Sequence, residues 1–455
     1  MEGPRTGAAH GTGFYRQTAA ADPTGGAPDM PRLKEASDAA RIAKRRDAPL
    51  PSGLPDPEEE ATLEPLRGIR IIEVTTNASG PLATGILADQ GADVIRLETI
   101  GAGDPSRHVG GVRGGVTGYT AYLNRNKRSM AVDLKNPNLR EPLRRLIATA
   151  DVFVQNSRPG ALDRYGYGYE ALHAEHPDLI YVSISGFGAT GPAAHQRVYD
   201  PVIQSVAGFA AAQTTNGVPD LVKTVASDKV AALTAAQAIS AALFARERGL
   251  SRGQHVELSM LDASLAFLWP EVYWNHSFVG VEGFTPKPLI AEFYRLLPTQ
   301  DGYITLIVVG DDEFKGACDA LELPGLLAEP KFRTLSDRFA NYGDLFAEFE
   351  KGTVRLTTAE IVARMDKAGV PCAKVNTLDE VIADPRVTAR ESVIEYEHPQ
   401  AGRLRQARPA AIFGGEPNGV RLPSPLLGEH TVEVLRSVGC DDREIEALRA
   451  AGAIN

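Results

Sequence analysis

Asp228 is one residue of this 455-residue chain whose type and setting could do chemistry. It lies in TVASDKVAALTAAQ, at the head of an Ala-rich run predicted as a helix from Asp228 to Arg248 and closed by Gly249. An aspartate there can serve a helix as a cap or first-turn charge. Its neighbours are apolar, however, and a carboxylate among them is costly unless it has a task. Tyr199 and Asp200 lie 29 and 28 residues earlier, after the loop SGFGATGPAAHQRV. The glycines of that loop allow close approach to a ligand. A second candidate group consists of donors near strand ends. Asn124, Arg125, Asn126, Lys127 and Arg128 precede one predicted strand and Lys135 follows it; Asn156, Arg158 and Arg164 follow another. Each alone is an ordinary surface residue. Their repetition after strands marks Lys135, Asn156 and Arg164 as donors for a phosphate-rich ligand.

Other chemistries lack their residues. Glu98 ends a predicted strand where a ribose-binding acid would sit, but the first turn reads Thr76-Asn77-Ala78-Ser79-Gly80 rather than G-x-G-x-x-G, which argues against nicotinamide binding. There is no Walker loop, H-E-x-x-H or Ser-His-Asp elbow. His173 and His176 flank a helix end and read as surface residues, whereas His108 and His195 lie in loops that could reach a pocket. Cys318, Cys372 and Cys440 are far apart, which excludes a cysteine zinc site or disulfide scaffold and suits a reducing compartment.

The elements that position these residues follow from hydrophobic patterning. IRIIEV (69–74), ADVIRLE (92–98), RSMAVDL (128–134), DVFVQN (151–156), LIYVSIS (179–185) and HVELSML (255–261) are apolar runs, as expected for strands covered on both faces. Helical stretches at LATGILADQ and 137–150 alternate with them, predicting a doubly wound α/β domain. Beyond about Ala266 the style changes. Residues 292–309 read as a hairpin around Asp301-Gly302, followed by helices at 311–321, 338–350 and 357–368 and a strand at 370–376. Two short helices broken at Gly439 end the chain. The first 60 residues hold 15 Gly or Pro, so residues 1–62 are predicted to be a disordered tail. The expected division is 63–265 for the first part of a large domain, 266–290 as linker, 291–395 as a smaller α+β domain and 396–455 as a segment returning to the large one.

Composition limits the partners. A net charge of −10 argues against general binding to nucleic acid or anionic membranes, and no apolar run reaches the length of a membrane span. The N-terminal MEGPRTGAAHGTGFYRQ has no apolar h-region, so a cytoplasmic enzyme is expected.

The stretches SGPLATGILADQGADVIRLE, GDPSR, NRNKRSMAVDLK, ADVFVQNSRPGALDRYGYGYEAL, LIYVSISGFGATGP and LLGEHTVEVL, in this order and spacing, resemble the class III coenzyme A transferases from about Leu66 to Ile454. That superfamily includes formyl-CoA transferase, carnitine and bile-acid CoA-transferases and α-methylacyl-CoA racemase. The resemblance implies a Rossmann-like large domain built from both ends of the chain, a small domain between them, and an interlocked homodimer. It implies that acyl-CoA and carboxylic acids are substrates, with coenzyme A itself a substrate and no further cofactor or metal. It makes Asp228 the nucleophile, with Tyr199 and Asp200 beside it as catalytic residues. The family's CoA contacts fall on Lys135, Asn156 and Arg164, with Val132 and Tyr165 beside the nucleotide and Arg197 in place of a lysine. Asn77, Ala78 and Ser79 fall where the first loop meets the thioester. Ala78 replaces a glutamine and Thr99 an arginine of formyl-CoA transferase, and HSFVGVEGF (276–284) lacks a four-glycine run, so oxalate and formate are not the expected substrates. The racemase branch uses a histidine where Tyr199 stands; a phenol is a poor base, with an ordinary pKa of about 10. Racemization and non-catalytic acyl-CoA binding are the alternatives to transfer.

Overall fold

The computed structural model describes residues 63–280 and 282–455, and the tail predicted for 1–62 lies outside the described residues. Thirteen strands are formed among the described residues: β1 Arg70–Val74, β2 Asp93–Thr99, β3 Val112–Arg113, β4 Val116–Thr117, β5 Lys127–Val132, β6 Val152–Gln155, β7 Ile180–Ser185, β8 His255–Ser259, β9 Leu297–Pro298, β10 Tyr303–Leu306, β11 Cys372–Lys374, β12 Val393–His398 and β13 Gly402–Ala407. The helices, in chain order, are α1 Ser79–Asp89, α2 Gly118–Asn124, α3 Arg140–Ile147, α4 Tyr169–Glu175, α5 Asp200–Ala207, α6 Phe209–Ala212, α7 Ala226–Glu247 and α8 Met260–Val272. They continue with α9 Asp311–Ala320, α10 Leu335–Ala340, α11 Tyr342–Thr353, α12 Thr358–Lys367, α13 Leu378–Ala383, α14 Pro385–Thr388, α15 Thr431–Ser437 and α16 Asp442–Ala450.

The six predicted apolar runs form one parallel sheet in the order β5-β2-β1-β6-β7-β8. Counted among themselves the strands run 3-2-1-4-5-6, so the direction of winding reverses between β1 and β6. In a doubly wound sheet that reversal opens a crevice at the carboxyl ends of the two strands. Alternate residues of each strand serve opposite faces, and each face has its own core. Ile72, Ile95, Met130 and Phe153 pack on α3, α4, α15 and α16, so residues 431–454 complete the large layer. Ile71, Val94, Val152 and Val182 face α1, α5 and α7 on the other side. There α7 contributes Ala231, Ala232, Ala235 and Ala236, all buried. Their small side chains let α7 pack closely against its neighbours.

A third core, with Phe314, Phe332, Phe346 and Phe349, belongs to residues 297–370. There β9 and β10 form the hairpin around Asp301-Gly302 and β11 pairs antiparallel with β10. Residues 266–272, placed above in a linker, instead continue α8, which tolerates Pro270 near its end. A proline there removes one intrahelical hydrogen bond without stopping the last turn. Among the described residues no helix is long and apolar enough to cross a membrane, and no cluster of His, Cys, Asp and Glu is arranged to hold a metal.

Candidate active site

Thr76 and Asn77 leave β1 as Asn156 and Ser157 leave β6, so both turns open into the crevice of the sheet. They line a cavity of about 530 Å³ with Ser79, Arg158, Arg197, Tyr199 and Asp228. The turn after β1 is held from two sides. Asn156 accepts from the Thr76 N–H and donates to the Thr76 carbonyl, both at 2.8 Å. The Asp104 carboxylate accepts from the Asn77 N–H at 3.0 Å. Asn77 has a left-handed backbone (φ 62°), a conformation asparagine tolerates better than most residues. Gly80 is required next in line, since a Cβ there would lie 2.4 Å from the Thr75 side chain. The turn therefore delivers Ser79, first residue of α1, into the cavity.

Asp228 faces Ser79. Burial raises its carboxyl, the neighbouring Asp200 raises it further, and the Ser79 hydroxyl and backbone N–H oppose both, leaving it at about 6 against an ordinary 3.8. The N–H groups in a helix's first turn lack intrahelical partners, so Ser79 brings both a hydroxyl and the positive end of α1 toward an anion. Asp200 lines neither this cavity nor the one next to it. It is 3% exposed, and its Oδ1 accepts from the Asp228 N–H at 2.9 Å while Gln204 donates to its Oδ2. Gln204 is fixed in turn by the Thr224 carbonyl and the Val222 N–H. Asp200 thus caps α7 and acts on the site through Asp228. Tyr199 is 69% exposed and borders the cavity directly.

A neighbouring cavity of about 260 Å³ shares Thr76, Ser157 and Ala161 with the first and is lined by Val132, Lys135 and Tyr165. Arg164 sits in the exposed turn Asp163–Tyr165 and lines neither cavity. Ala78 faces away from both, into a third, largely apolar cavity. His108 hydrogen-bonds the Ala102 carbonyl, and neither it nor His195 lines any of the three cavities. Among the described residues the side chains of Lys135, Arg158, Arg164 and Arg197 have no carboxylate partner, in contrast to the many paired arginines elsewhere.

The stretch Asn124 to Arg128 is not part of the site. It lies at the amino end of β5, opposite the crevice. Arg125 grips Asp89, Lys127 grips Glu73 and Arg128 grips Asp93. Lys127 also belongs to a buried lattice absent from the sequence reading, in which Arg96 meets Glu73 and Asp104 while Arg107 meets Glu98. Burial alone would raise the Glu73 carboxyl, but Lys127, Arg96 and the hydroxyls of Thr75 and Thr84 hold it at about 2. Burial, only partly offset by Glu73, lowers the Lys127 ammonium to about 8, so the pair is ionised at neutral pH. Asp104 links this lattice to the Asn77 turn. Its motif, GDPSR, is visible in the sequence, but nothing there reveals its partners.

The profile of the family described as CoA-transferase family III matches residues 66–431. The chain belongs to this family. Among the relatives of this CoA-transferase, succinyl-CoA:glutarate CoA-transferase of Homo sapiens is 33% identical, over 86% of this chain and 90% of that one. Formyl-CoA:oxalate CoA-transferase of Escherichia coli O157:H7 is 32% identical, over 86% and 99%. A CAIB/BAIF family protein from Brucella suis superposes with a TM-score of 0.71 at 32% identity, covering 82% of this transferase and 99% of the other chain.

Proposed function

We propose that this CoA-transferase moves coenzyme A from an acyl-CoA to a free carboxylic acid, with Asp228 as the covalent carrier. The single observation that supports the assignment best is a half-desolvated carboxylate facing the Ser79 N–H and hydroxyl on the wall of the switch-point cavity. A carboxylate that has lost much of its hydration is a stronger nucleophile, and one near pH 6 is still mostly ionised at neutral pH. An Asp228 oxygen attacks the thioester carbonyl, and the C–S bond breaks to release CoA thiolate and leave a mixed anhydride. The thiolate then attacks the aspartyl carbonyl, expelling the donor's carboxylate and forming an aspartyl-CoA thioester. The acceptor carboxylate attacks that thioester, thiolate leaves again, and a second anhydride forms. Attack of thiolate on the acceptor's acyl carbon yields the new acyl-CoA and frees Asp228. No net proton is consumed.

In this reading Ser79 supplies donors for the oxyanion that develops at each tetrahedral stage. The unpaired Lys135, Arg158, Arg164 and Arg197 meet the phosphates of CoA, and Val132 and Tyr165 flank the nucleotide in the smaller cavity. Tyr199 borders the reacting group, and Asp200 holds the head of α7. Two copies of the chain form the working unit, in the cytoplasm. Transfer is favoured over racemization because position 199 carries a phenol where the racemase branch has an imidazole. Incubation with acyl-CoA and hydroxylamine tests the assignment. Modification on the peptide containing Asp228, dependent on acyl-CoA, is expected; modification on Asp200 overturns it. In deuterated water a chiral 2-methylacyl-CoA is expected to gain no α-deuterium at a catalytic rate.

A further inference from the structure

Gln204 lies on α5 one turn after Asp200, is 1% exposed and lines none of the three cavities. A primary amide offers two hydrogens and one acceptor oxygen, and here all are used. Its Nε2 donates to Asp200 Oδ2 at 2.5 Å and to the Thr224 carbonyl at 2.9 Å, while its Oε1 accepts from the Val222 N–H at 2.9 Å. One side chain thus grips both the segment that leads into α7 and the carboxylate that caps it. Asp200 has no Lys, Arg or His partner among the described residues. Its two oxygens therefore depend on neutral donors, the Asp228 N–H on Oδ1 and Gln204 on Oδ2.

A buried carboxylate that loses a donor moves toward another partner or toward water. Without Gln204, Asp200 would turn from the first turn of α7 and the Asp228 N–H would lose its acceptor. Asp228 would also lose the neighbouring anion that, after burial, raises its carboxyl. Besides Asp200, the titratable or charged groups around Asp228 are Tyr119 of α2, Tyr199, Arg158 and Arg197 along the cavity, and Lys229 on α7 itself, which donates to the Thr224 hydroxyl. Gln204 bonds to none of these among the described residues, so its influence on Asp228 runs through Asp200.

We propose that Gln204 is a positioning residue of the transfer site, whose amide fixes Asp200 against the head of α7 and so sets where Asp228 stands relative to Ser79; the inference rests on Asp228 being the group that receives the acyl moiety. Gln204 touches no substrate and acts two hydrogen bonds away from the Asp228 backbone. A misplaced nucleophile costs turnover rather than binding, because Lys135, Arg158 and Arg197 do not depend on it.

The test compares full-length wild type, Gln204→Met, Asp200→Asn and the double variant, with succinyl-CoA as donor and glutarate as acceptor. Gln204→Met is expected to lower kcat about tenfold and to leave KM for the acyl-CoA within about twofold. Its acid limb in kcat/KM is expected about one pH unit below the wild-type limb near 6, with the same shift in Asp200→Asn and no further shift in the double variant. An unchanged kcat and limb overturns the assignment. So does a Gln204→Met shift as large in the Asp200→Asn background as in wild type, since a residue that only packs α5 acts without Asp200. Urea midpoints between pH 4 and 7 need no substrate. The stability gained there by Asp228→Asn is expected to be smaller in the Gln204→Met background, and an equal gain overturns the assignment. If turnover survives in Asp228→Asn while that gain still shrinks in Gln204→Met, the Asp228 reading fails and the Gln204 assignment stands. Should Gln204→Met not fold, Gln204→Asn, whose amide is one carbon short of Asp200, is read in its place with the same expected and overturning results.

Discussion

Two carboxylates close to the turn after β1, Glu73 and Asp228, are driven in opposite directions. Beneath the turn, Glu73, Glu98 and Asp104 are matched by Arg96, Lys127 and Arg107, and Glu73 is held at about 2. Above it, Asp228 has Asp200 for a neighbour and Ser79 as its donor, and rises to about 6. Burial opposes charge in both places; what differs is the supply of cations. The first arrangement makes a fixed platform of charges satisfied by one another. The second leaves one carboxylate short of partners, with its electron pairs available to a substrate. Asp104 joins the two, since it belongs to the lattice and also holds the Asn77 N–H that helps direct Ser79 toward Asp228.

The sharpest way to break this contrast is at the under-satisfied carboxylate. Asp228→Asn keeps the size and removes the proposed nucleophile, so transfer should fall at least about 10⁴-fold, roughly 5 kcal/mol of barrier. Wild-type kcat/KM should fall about tenfold per pH unit below roughly pH 6, because the anion is the reactive form and its proton binds there. A variant with substantial turnover would remove Asp228 from the centre of the chemistry, whereas an acid limb near pH 4 would show that its carboxylate is not short of partners.

At the satisfied group the expected effect is on stability. Arg96→Met leaves Glu73, Glu98 and Asp104 facing two cations in a region closed to water. Loss of one member of a buried ionic set costs about 3–5 kcal/mol, read from urea unfolding midpoints. Adding Glu73→Gln removes one stranded charge and should recover part of that loss. If Arg96→Met costs under about 1 kcal/mol, the lattice does not hold the platform.

Asp228 also has a stability signature of opposite sign. Its folded-state pKa of about 6 lies above the ordinary 3.8, so the folded chain binds more protons between those values. Stability therefore falls as pH rises through that window and remains lowered above it. Asp228→Asn should be more stable than wild type by about 2–3 kcal/mol at pH 7.5, with the gain fading as pH falls toward 4. A variant less stable than wild type at pH 7.5 would show that the carboxylate is well satisfied. A gain in stability on losing the proposed nucleophile would fit the general tension between activity and stability.

The sheet was legible because apolar runs such as IRIIEV and LIYVSIS register burial on both faces directly. Asp228 stands out in the sequence as a charge at the head of an apolar helix, but that position suits a cap equally, and only the fold puts it on the wall of a cavity. Pairing was not legible. Lys127 finds Glu73 across 54 residues and Arg125 finds Asp89 across 36, so basic residues that read as ligand donors are in fact structural. The third, largely apolar cavity that Ala78 faces draws on residues 78–90, 118–125, 225–233 and 409–418, and no local pattern announces it. The resemblance to known transferases suggests CoA contacts by position, but it cannot tell a residue that touches ligand from one that holds the loop touching it.

Asn156 poses that last question most directly. Its position implies contact with CoA, yet its carbonyl oxygen and one amide hydrogen are engaged by the Thr76 backbone at 2.8 Å. The amide can still offer its second hydrogen to a ligand. Two roles therefore make different predictions for Asn156→Ala. A residue that only binds CoA would raise KM for acyl-CoA and leave both kcat and stability alone. A residue that holds the turn would let Thr76 and Asn77 relax on the side that Asp104 does not grip, moving Ser79 relative to Asp228. The geometry favours the second, with a stability loss of about 1 kcal/mol for two partly solvated hydrogen bonds and a several-fold fall in kcat beside the rise in KM. Measuring kcat, KM and the urea midpoint on one preparation separates the cases. A change confined to KM would make Asn156 a ligand contact alone and leave Asp104 as the sole link between the satisfied carboxylates and the reactive one.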